Sequence, residues 1–232
     1  MIVELKNITK YYQNAGSAEK RIILDDLSLA IEKGESIAIV GPSGSGKSTL
    51  LNVISSLDTA NSGSVIFDGE DLSQKNEREL ANFRNQNLGF VFQSHHLLPQ
   101  LNLIENVLLP FIPVKDKKQK QDAEKRALEL LDFVGLSELI YQRPGQMSGG
   151  ECQRAAVVRA LIHQPNLILA DEPTGSLDKK SAEQLGDLLV SINEKQGVSV
   201  VIVTHSMDLA KKMKKIYQLE EGSLKQLTIG NE

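Results

Sequence analysis

Apolar positions divide the chain into three stretches of different rhythm. In the first third, short β-branched and leucine-rich runs at 3–12, 22–31 and 36–40 are separated by a polar segment at 13–21 and by the Lys33-Gly34 turn, and a further run covers 65–68. Runs of this length between polar and glycine breaks predict strands. The third run ends in a glycine-rich segment and is followed by helical spacing over 49–57. In the middle, a strand-like run at 88–93 gives way to a proline-punctuated stretch, 97–113, and a highly charged run, 115–126. Ala123, Ala127, Leu130, Leu131 and Val134 then recur at helical spacing and Gly135 is a stop signal, while a second helix is predicted over 148–162.

The last third alternates: a strand at 167–170, a polar-faced helix at 179–195, a strand at 198–204, a short helix, and closing strands near Ile216 and Leu224. Strands alternating with helices imply a parallel sheet with right-handed crossovers. The expected fold is a single α/β domain in which a nucleotide-binding core, 1–93 and 164–232, is interrupted by a helical insertion at 94–163.

Composition narrows the function. With 41% hydrophobic residues among 232, the chain can build a sizeable core, so disorder is excluded as the default. A net charge of -4 offers no broad attraction for nucleic acid or anionic lipid, so an anionic ligand must be captured locally. The lysine runs at Lys115, Lys117, Lys118 and Lys120 and at Lys211, Lys212, Lys214 and Lys215 read as solvated helix faces. The single cysteine, Cys152, permits neither an intramolecular disulfide nor a cysteine metal cluster, which fits a reducing compartment. The opening residues lack a secretory signal pattern, and no apolar run reaches the roughly 20 residues of a membrane span. A cytoplasmic chain is expected, serving a membrane only from outside it.

The glycine-rich segment carries the first chemistry. Gly41-Pro42-Ser43-Gly44-Ser45-Gly46-Lys47-Ser48 matches G-x-x-x-x-G-K-[ST] between a predicted strand and the helix that opens at Thr49. Its backbone N–H groups and the helix N-terminus suit phosphate oxygens; Lys47 adds charge near the terminal phosphates and Ser48 a hydroxyl for Mg²⁺. Asp171 and Glu172 end the apolar run 167–170, at the strand edge where open α/β sheets bind ligands. Asp171 suits the Mg²⁺ shell, and Glu172 suits polarising a water that attacks a γ-phosphate. Ser148 and Glu151 form an S-x-x-E capping box, and the intervening Gly149 and Gly150, costly in a first turn, open the helix N-terminus to an anion.

Met147-Ser148-Gly149-Gly150-Glu151 resembles the LSGGQ signature of ABC ATPases, with Met for Leu and Glu for Gln. The resemblance implies a P-loop core with an antiparallel β subdomain and an inserted helical subdomain, and ATP and Mg²⁺ as ligands. It further implies that the signature completes the ATP site of a second copy in a head-to-tail dimer. Further positions match in order: Tyr12 resembles the adenine-stacking aromatic, with Tyr11 the weaker candidate, and Gln93 resembles the Q-loop glutamine, a contact of Mg²⁺ and the attacking water. Gly175-Ser176-Leu177-Asp178 resembles the D-loop, and His205 the switch histidine at the γ-phosphate.

Residues 88–99 with Ile104-Glu105-Asn106-Val107, preceded by Arg84-Asn85-Gln86, resemble the LolD-type lipoprotein-releasing group, which is similar to the macrolide-exporter and cell-division ABC ATPases. That resemblance implies a peripheral ATPase at the cytoplasmic face of the bacterial inner membrane. Its partners would be LolC/LolE-type membrane subunits, and it would touch neither cargo nor nucleic acid. His95 and His96 lack the neighbours of a metal cluster and read as docking surface, with Leu97, Leu98 and Pro99 lining a groove for a partner helix. Two rivals of other classes are weaker. A soluble P-loop kinase leaves the Ser148-Gly149-Gly150 signature without a task, and a nucleic-acid-associated ABC ATPase lacks its long heptad arm and basic face here.

Overall fold

The computed structural model describes residues 1–13 and 20–228. Two sheets share the chain. An antiparallel sheet in the order β2-β1-β4-β5 is built from β1 (Val3–Gln13), β2 (Lys20–Ile31), β4 (Ser62–Phe67) and β5 (Glu70–Asp71). The second sheet runs β10-β9-β3-β8-β7-β6. It comprises β3 (Ser36–Val40), β6 (Leu88–Phe92), β7 (Leu167–Asp171), β8 (Ser199–Thr204), β9 (Lys215–Glu220) and β10 (Ser223–Leu227). Its pairings are parallel except for the closing β9–β10 hairpin. The ABC-type α/β expectation, antiparallel subdomain included, is met by this pair of sheets.

Every residue of β3 and β8 is buried, the condition under which strands covered on both faces read as unbroken apolar runs. Their side chains still alternate. Ile37, Ile39, Leu169, Val201 and Val203 join the core shared with the antiparallel sheet and α1 (Lys47–Ile54). Ala38, Val40, Ala170, Val200 and Ile202 face the opposite core, formed with the helices between β6 and β7 and with α6 (Lys179–Gln196).

Within residues 94–163 lie α3 (Leu103–Leu108), α4 (Lys117–Phe133) and α5 (Gly149–Leu161), and no strand among the described residues. Helix α4 begins well before Ala123 because Asp116 caps it, accepting from Lys118 N at 2.7 Å and Gln119 N at 3.1 Å. The apolar rhythm marks only its buried face, Ala123, Ala127, Leu130 and Leu131. The proline-punctuated stretch conceals α3, whose Asn102–Glu105 capping box starts a helix too short to show periodicity. Helix α2 (Glu77–Asn87) also has a box, Asn76–Glu79, and buries only Leu80 and Phe83, too sparse a signal for a pattern search. The short helix after β8 is α7 (Met207–Ala210). Of the polar segment expected at 13–21, Gln13 ends β1 and Lys20 opens β2, while 14–19 fall outside the described residues.

Parallel register places the site. Val40 pairs with Thr204, Phe92 with Asp171, and Asp171 with Val203, so four strands end at one edge. The residues that follow, the loop from Gly41, Gln93, Glu172 and His205, therefore emerge together although they are far apart in sequence. No described helix is long and apolar enough to cross a membrane.

Candidate functional site

The loop between β3 and α1 is shaped as an anion receptor. Gly44 and Gly46 take φ of 79° and 102°, which L side chains rarely adopt, and a Cβ on Gly46 would lie 2.8 Å from Ile23 Cγ2. Gly46 is the N-cap of α1, with no side-chain cap and no acidic residue in the first turn, so the helix N-terminus is left for an external anion. Lys47, only 8% exposed, donates to Gly41 O at 2.9 Å and Pro42 O at 3.0 Å, across the mouth of its own loop. Ser45 Oγ is buried without a hydrogen-bond partner.

Facing the loop, the Asp171 carboxyl is pushed above the usual carboxylate range by burial, with the Glu172 charge adding to the rise and the Ser48 hydroxyl and Lys47 opposing it. A half-buried carboxylate beside the Ser48 hydroxyl, with the Gln93 amide at the end of the adjacent strand, is an all-oxygen donor set that fits Mg²⁺. Glu172 sits at φ 46°, a left-handed turn uncommon for a non-glycine residue, and its N–H donates to Val203 O at 2.9 Å. That turn sends its carboxylate across β8. There Oε2 accepts from Thr204 Oγ1 at 3.1 Å and His205 N at 3.2 Å, and lies 2.8 Å from His205 Nδ1. The two side chains assigned separate duties on a terminal phosphate are thus in contact with each other.

One cleft of about 730 Å³ is lined by Ser43, Gly44, Gly46, Lys47, Ser48 and Thr49 together with Gln93, Glu172, His205 and Tyr12; Asp171 is not among its lining residues. Gln93 is braced from behind: Ser176 Oγ donates to its carbonyl at 3.0 Å, and a Cβ on Gly175 would meet Gln93 Nε2 at 2.9 Å. Two lining residues, Arg21 and Ile23, were not found in the sequence. Arg21 enters because it pairs across the strands with Tyr12, a register that the sequence alone does not disclose.

The signature lies elsewhere. None of Ser148, Gly149, Gly150 and Glu151 lines the cleft. Ser148 caps α5: its N–H donates to Glu151 Oε2 at 2.7 Å, its hydroxyl to the same oxygen at 2.8 Å, and Glu151 N returns to Ser148 Oγ at 3.3 Å. Hydrogen bonds from the Ser148 backbone and hydroxyl hold the Glu151 carboxyl below its ordinary range. Beside this end lies the N-terminus of α6, where Asp178 accepts from Ser181 N at 3.0 Å and Ser181 Oγ at 2.6 Å. A Cβ on Gly150 would lie 2.8 Å from Ser181 Oγ, so the signature and the Asp178 loop are neighbours on one surface.

Helix α5 also holds the segment after β6. Gln153 Nε2 donates to Phe92 O at 2.6 Å, and the Arg159 guanidinium spans His96 O and His95 O, each at 2.7 Å. His95 Nδ1 accepts from Leu97 N at 3.1 Å, and burial followed by the Arg159 charge pushes its imidazole down, toward the neutral form. The histidine pair is therefore part of a loop closure, and the described residues contain no group of three His, Cys, Asp or Glu arranged for a metal. Leu97 is buried in the core. The apolar groove of about 410 Å³ alongside is lined instead by Leu57, Phe90, Phe92, Pro110, Arg159 and His163, among others, and not by Leu97, Leu98 or Pro99. Cys152 is buried, and burial raises its thiol, so it is an inert core group. The later lysine run is tied down locally: Lys212 pairs with Asp187 and Lys215 with Glu35, and Lys214 Nζ donates to Gly34 O at 3.3 Å.

Comparison with known proteins gives concordant matches. A family model described as ABC transporter matches residues 24–175. A lipoprotein-releasing system ATP-binding protein LolD from Geobacter metallireducens is 46% identical over 222 residues, covering 95% of this chain and 96% of that protein. The protein of the same name from Legionella pneumophila (strain Paris) is 44% identical over 216 residues, covering 93% and 94%. Among solved structures, the ATP-binding cassette MJ0796, a dimer in a post-hydrolysis state bound to ADP and Pi, superimposes with a TM-score of 0.85 at 39% identity, covering 98% of this chain and all of that one.

Proposed function

The chain belongs to the ABC transporter family, and from that premise we propose that it is the ATP-hydrolysing motor subunit of a lipoprotein-releasing transporter in the bacterial inner membrane. It is an ATPase. One observation carries the mechanism: the cleft gathers the phosphate loop, Gln93, Glu172 and His205, while no signature residue lines it.

In this reading ATP lies along the loop from Gly41 to Thr49, its phosphates on the N–H groups of Ser43 to Ser48, Pro42 having none to offer, and its base on Tyr12. Lys47 exchanges its two backbone carbonyls for the terminal phosphates. Ser48, Asp171 and Gln93 would hold Mg²⁺, which would supply neutralisation of the phosphate charge. Glu172 orients and polarises the attacking water, and His205 turns from Glu172 to the γ-phosphate. Because hydrolysis is mainly positioning and charge stabilisation, the missing donors matter, and the second copy supplies them through Ser148, Gly149, Gly150 and Glu151, with Asp178 communicating across the interface. Closure on ATP and reopening after its cleavage to ADP and phosphate is the power stroke.

The division into a core at 1–93 and 164–232 and a helical unit at 94–163 fits this stroke, since α5 carries the signature and bonds to Phe92 and His95 on either side of Gln93. Membrane subunits of LolC/LolE type would dock a short helix in the groove at Phe90, Phe92 and His163. The subunit is then peripheral at the cytoplasmic face and touches no cargo. Light scattering on Glu172→Gln, expected to bind ATP without cleaving it, tests the shared site. ATP-dependent dimers that disappear on adding Ser148→Arg are expected; monomers that still bind ATP, alone and with the membrane partner, would refute it.

A further inference from the structure

Tyr12 is held at two points by residues outside every motif. Its hydroxyl donates to Asp58 Oδ2 at 2.8 Å, and Lys10 Nζ donates to Asp58 Oδ1 at 2.6 Å. Lys10 is 6% exposed, although lysine is rarely buried without a partner, and it makes a second bond to Thr59 O at 2.8 Å. Its ammonium lies 4.9 Å from the centroid of the Tyr12 ring, within cation–π range. Asp58 in turn accepts from Thr59 N at 2.8 Å, in the segment that leaves α1. The ring is thereby fixed at its tip and approached on one side by a cation, yet Tyr12 remains 47% exposed and borders the cleft.

We infer that Asp58 and Lys10 are positioning residues for the nucleotide base: they lock the Tyr12 ring in one orientation relative to the phosphate loop, so that a purine stacks on a platform already in place. The inference rests on the reading of Tyr12 as the stacking residue. The geometry links the two ends of the ligand through one helix. The N-terminus of α1 forms the phosphate receptor, and the chain leaving its C-terminus presents Asp58 to the tyrosine. A freely rotating tyrosine would have to lose its rotamer freedom on binding each nucleotide; here that ordering precedes binding. The phenol is held above its ordinary range, first by the hydrogen bond to Asp58, so it stays a donor at neutral pH; Thr49 supplies a weaker opposing bond. Burial raises Asp58, but bonds from Lys10 and Tyr12 outweigh it and bring the carboxyl below its usual value, so the acceptor stays ionised.

The test measures KM and kcat for ATP, and the dissociation constant of inorganic tripolyphosphate, which has phosphates and no base. Tyr12→Phe keeps the ring and removes only the tether; Asp58→Asn removes the charge; Tyr12→Leu removes the platform. Tyr12→Phe and Asp58→Asn are each expected to raise KM for ATP roughly three- to tenfold with kcat unaltered, and the double variant no further than either single one. Tripolyphosphate affinity stays at the parent value in all of them. A rise in KM for Asp58→Asn that recurs in full on the Tyr12→Phe background, or an equal loss of tripolyphosphate affinity, would show Asp58 acting through α1 and overturn the inference. Parent-like KM in Tyr12→Phe, with Tyr12→Leu impaired, would overturn it too while leaving stacking intact. Parent-like KM in Tyr12→Leu would instead remove the stacking reading itself. Tyr12→Phe leaves the Lys10–Asp58 pair in place, so the test survives a failure of Asp58→Asn to fold.

Discussion

Gly89→Ala is a sharp test of how the site is supported. Gly89 lies in β6 opposite Ile168 of β7, two residues before Val91 and four before Gln93. A methyl group there would meet Ala160 O at 2.5 Å and Ala160 Cβ at 3.1 Å, where ordinary van der Waals contact begins at 3.4 Å. Strand and helix must therefore part by about 0.9 Å, and the obstacle is helix backbone, which cannot swing aside as a side-chain tip would. Overpacking of this kind costs about 1–3 kcal/mol, and relief of glycine's chain entropy returns roughly 0.5–1 kcal/mol. The expected net loss is about 1.25 kcal/mol, or a fall in Tm of roughly 2.5–5 °C for a chain of this size. The assay is thermal denaturation of the isolated subunit beside Gly145→Ala, where a Cβ meets nothing within 4 Å. The control should shift by no more than about 0.5 kcal/mol. If both variants melt with the parent, the close approach of β6 and α5 is not the rigid support for the strand leading to Gln93 that the distances imply.

Two further outcomes follow from charges in the site. Burial raises the Asp171 carboxyl, so in the window above the unfolded value the folded state binds the extra proton and the ionised form weakens the fold. Asp171→Asn should then melt higher than the parent at pH 7 without nucleotide, the gap closing as pH falls below the raised folded value, while Mg²⁺-dependent ATP hydrolysis is lost; an equal or lower melt at pH 7 would contradict this. Arg159→Lys cannot span His95 O and His96 O together, so it should lower stability by about 1–2 kcal/mol in chemical denaturation and leave ATP affinity near the parent value. A parent-like midpoint would show the clamp to be dispensable.

Legibility in the sequence followed contiguity. The phosphate loop and the Asp171-Glu172 pair are written in unbroken stretches at the ends of fully buried strands, so their place at the sheet edge could be read from the apolar runs alone. What depends on register could not. Arg21 reaches the cleft by pairing with Tyr12, and Asp58 reaches Tyr12 by tertiary packing, with neither marked by a motif. The Glu172–His205 contact needs both the φ of 46° at Glu172 and the adjacency of β7 and β8. Short or polar helices escaped for another reason: α2 and α3 are specified by capping boxes, which are local hydrogen-bond devices, and not by amphipathic rhythm. Leu97 turns into the core, and the neighbouring apolar groove is lined by Phe90 and Phe92 of β6 with Pro110 and His163, side chains that only tertiary packing brings together.

In the proposed shared site, the two glycine-flanked helix ends would divide the work between one chain that binds nucleotide and a second copy that completes it. At α1 the N-terminus has neither side-chain cap nor first-turn acid, so its N–H groups and positive end meet an incoming phosphate without competition. At α5 the same kind of end is already occupied by its own Ser148–Glu151 box, with an anionic Glu151 among the donors. A phosphate offered to α5 must compete with that carboxylate and with the cap, a term of about 1 kcal/mol for a Ser N-cap. The open end therefore fills first and the closed end second. In the proposed head-to-tail pair, a nucleotide fixed on α1 of one copy would present its terminal phosphate to α5 of another at a high local concentration, the condition under which so modest a competitor is displaced.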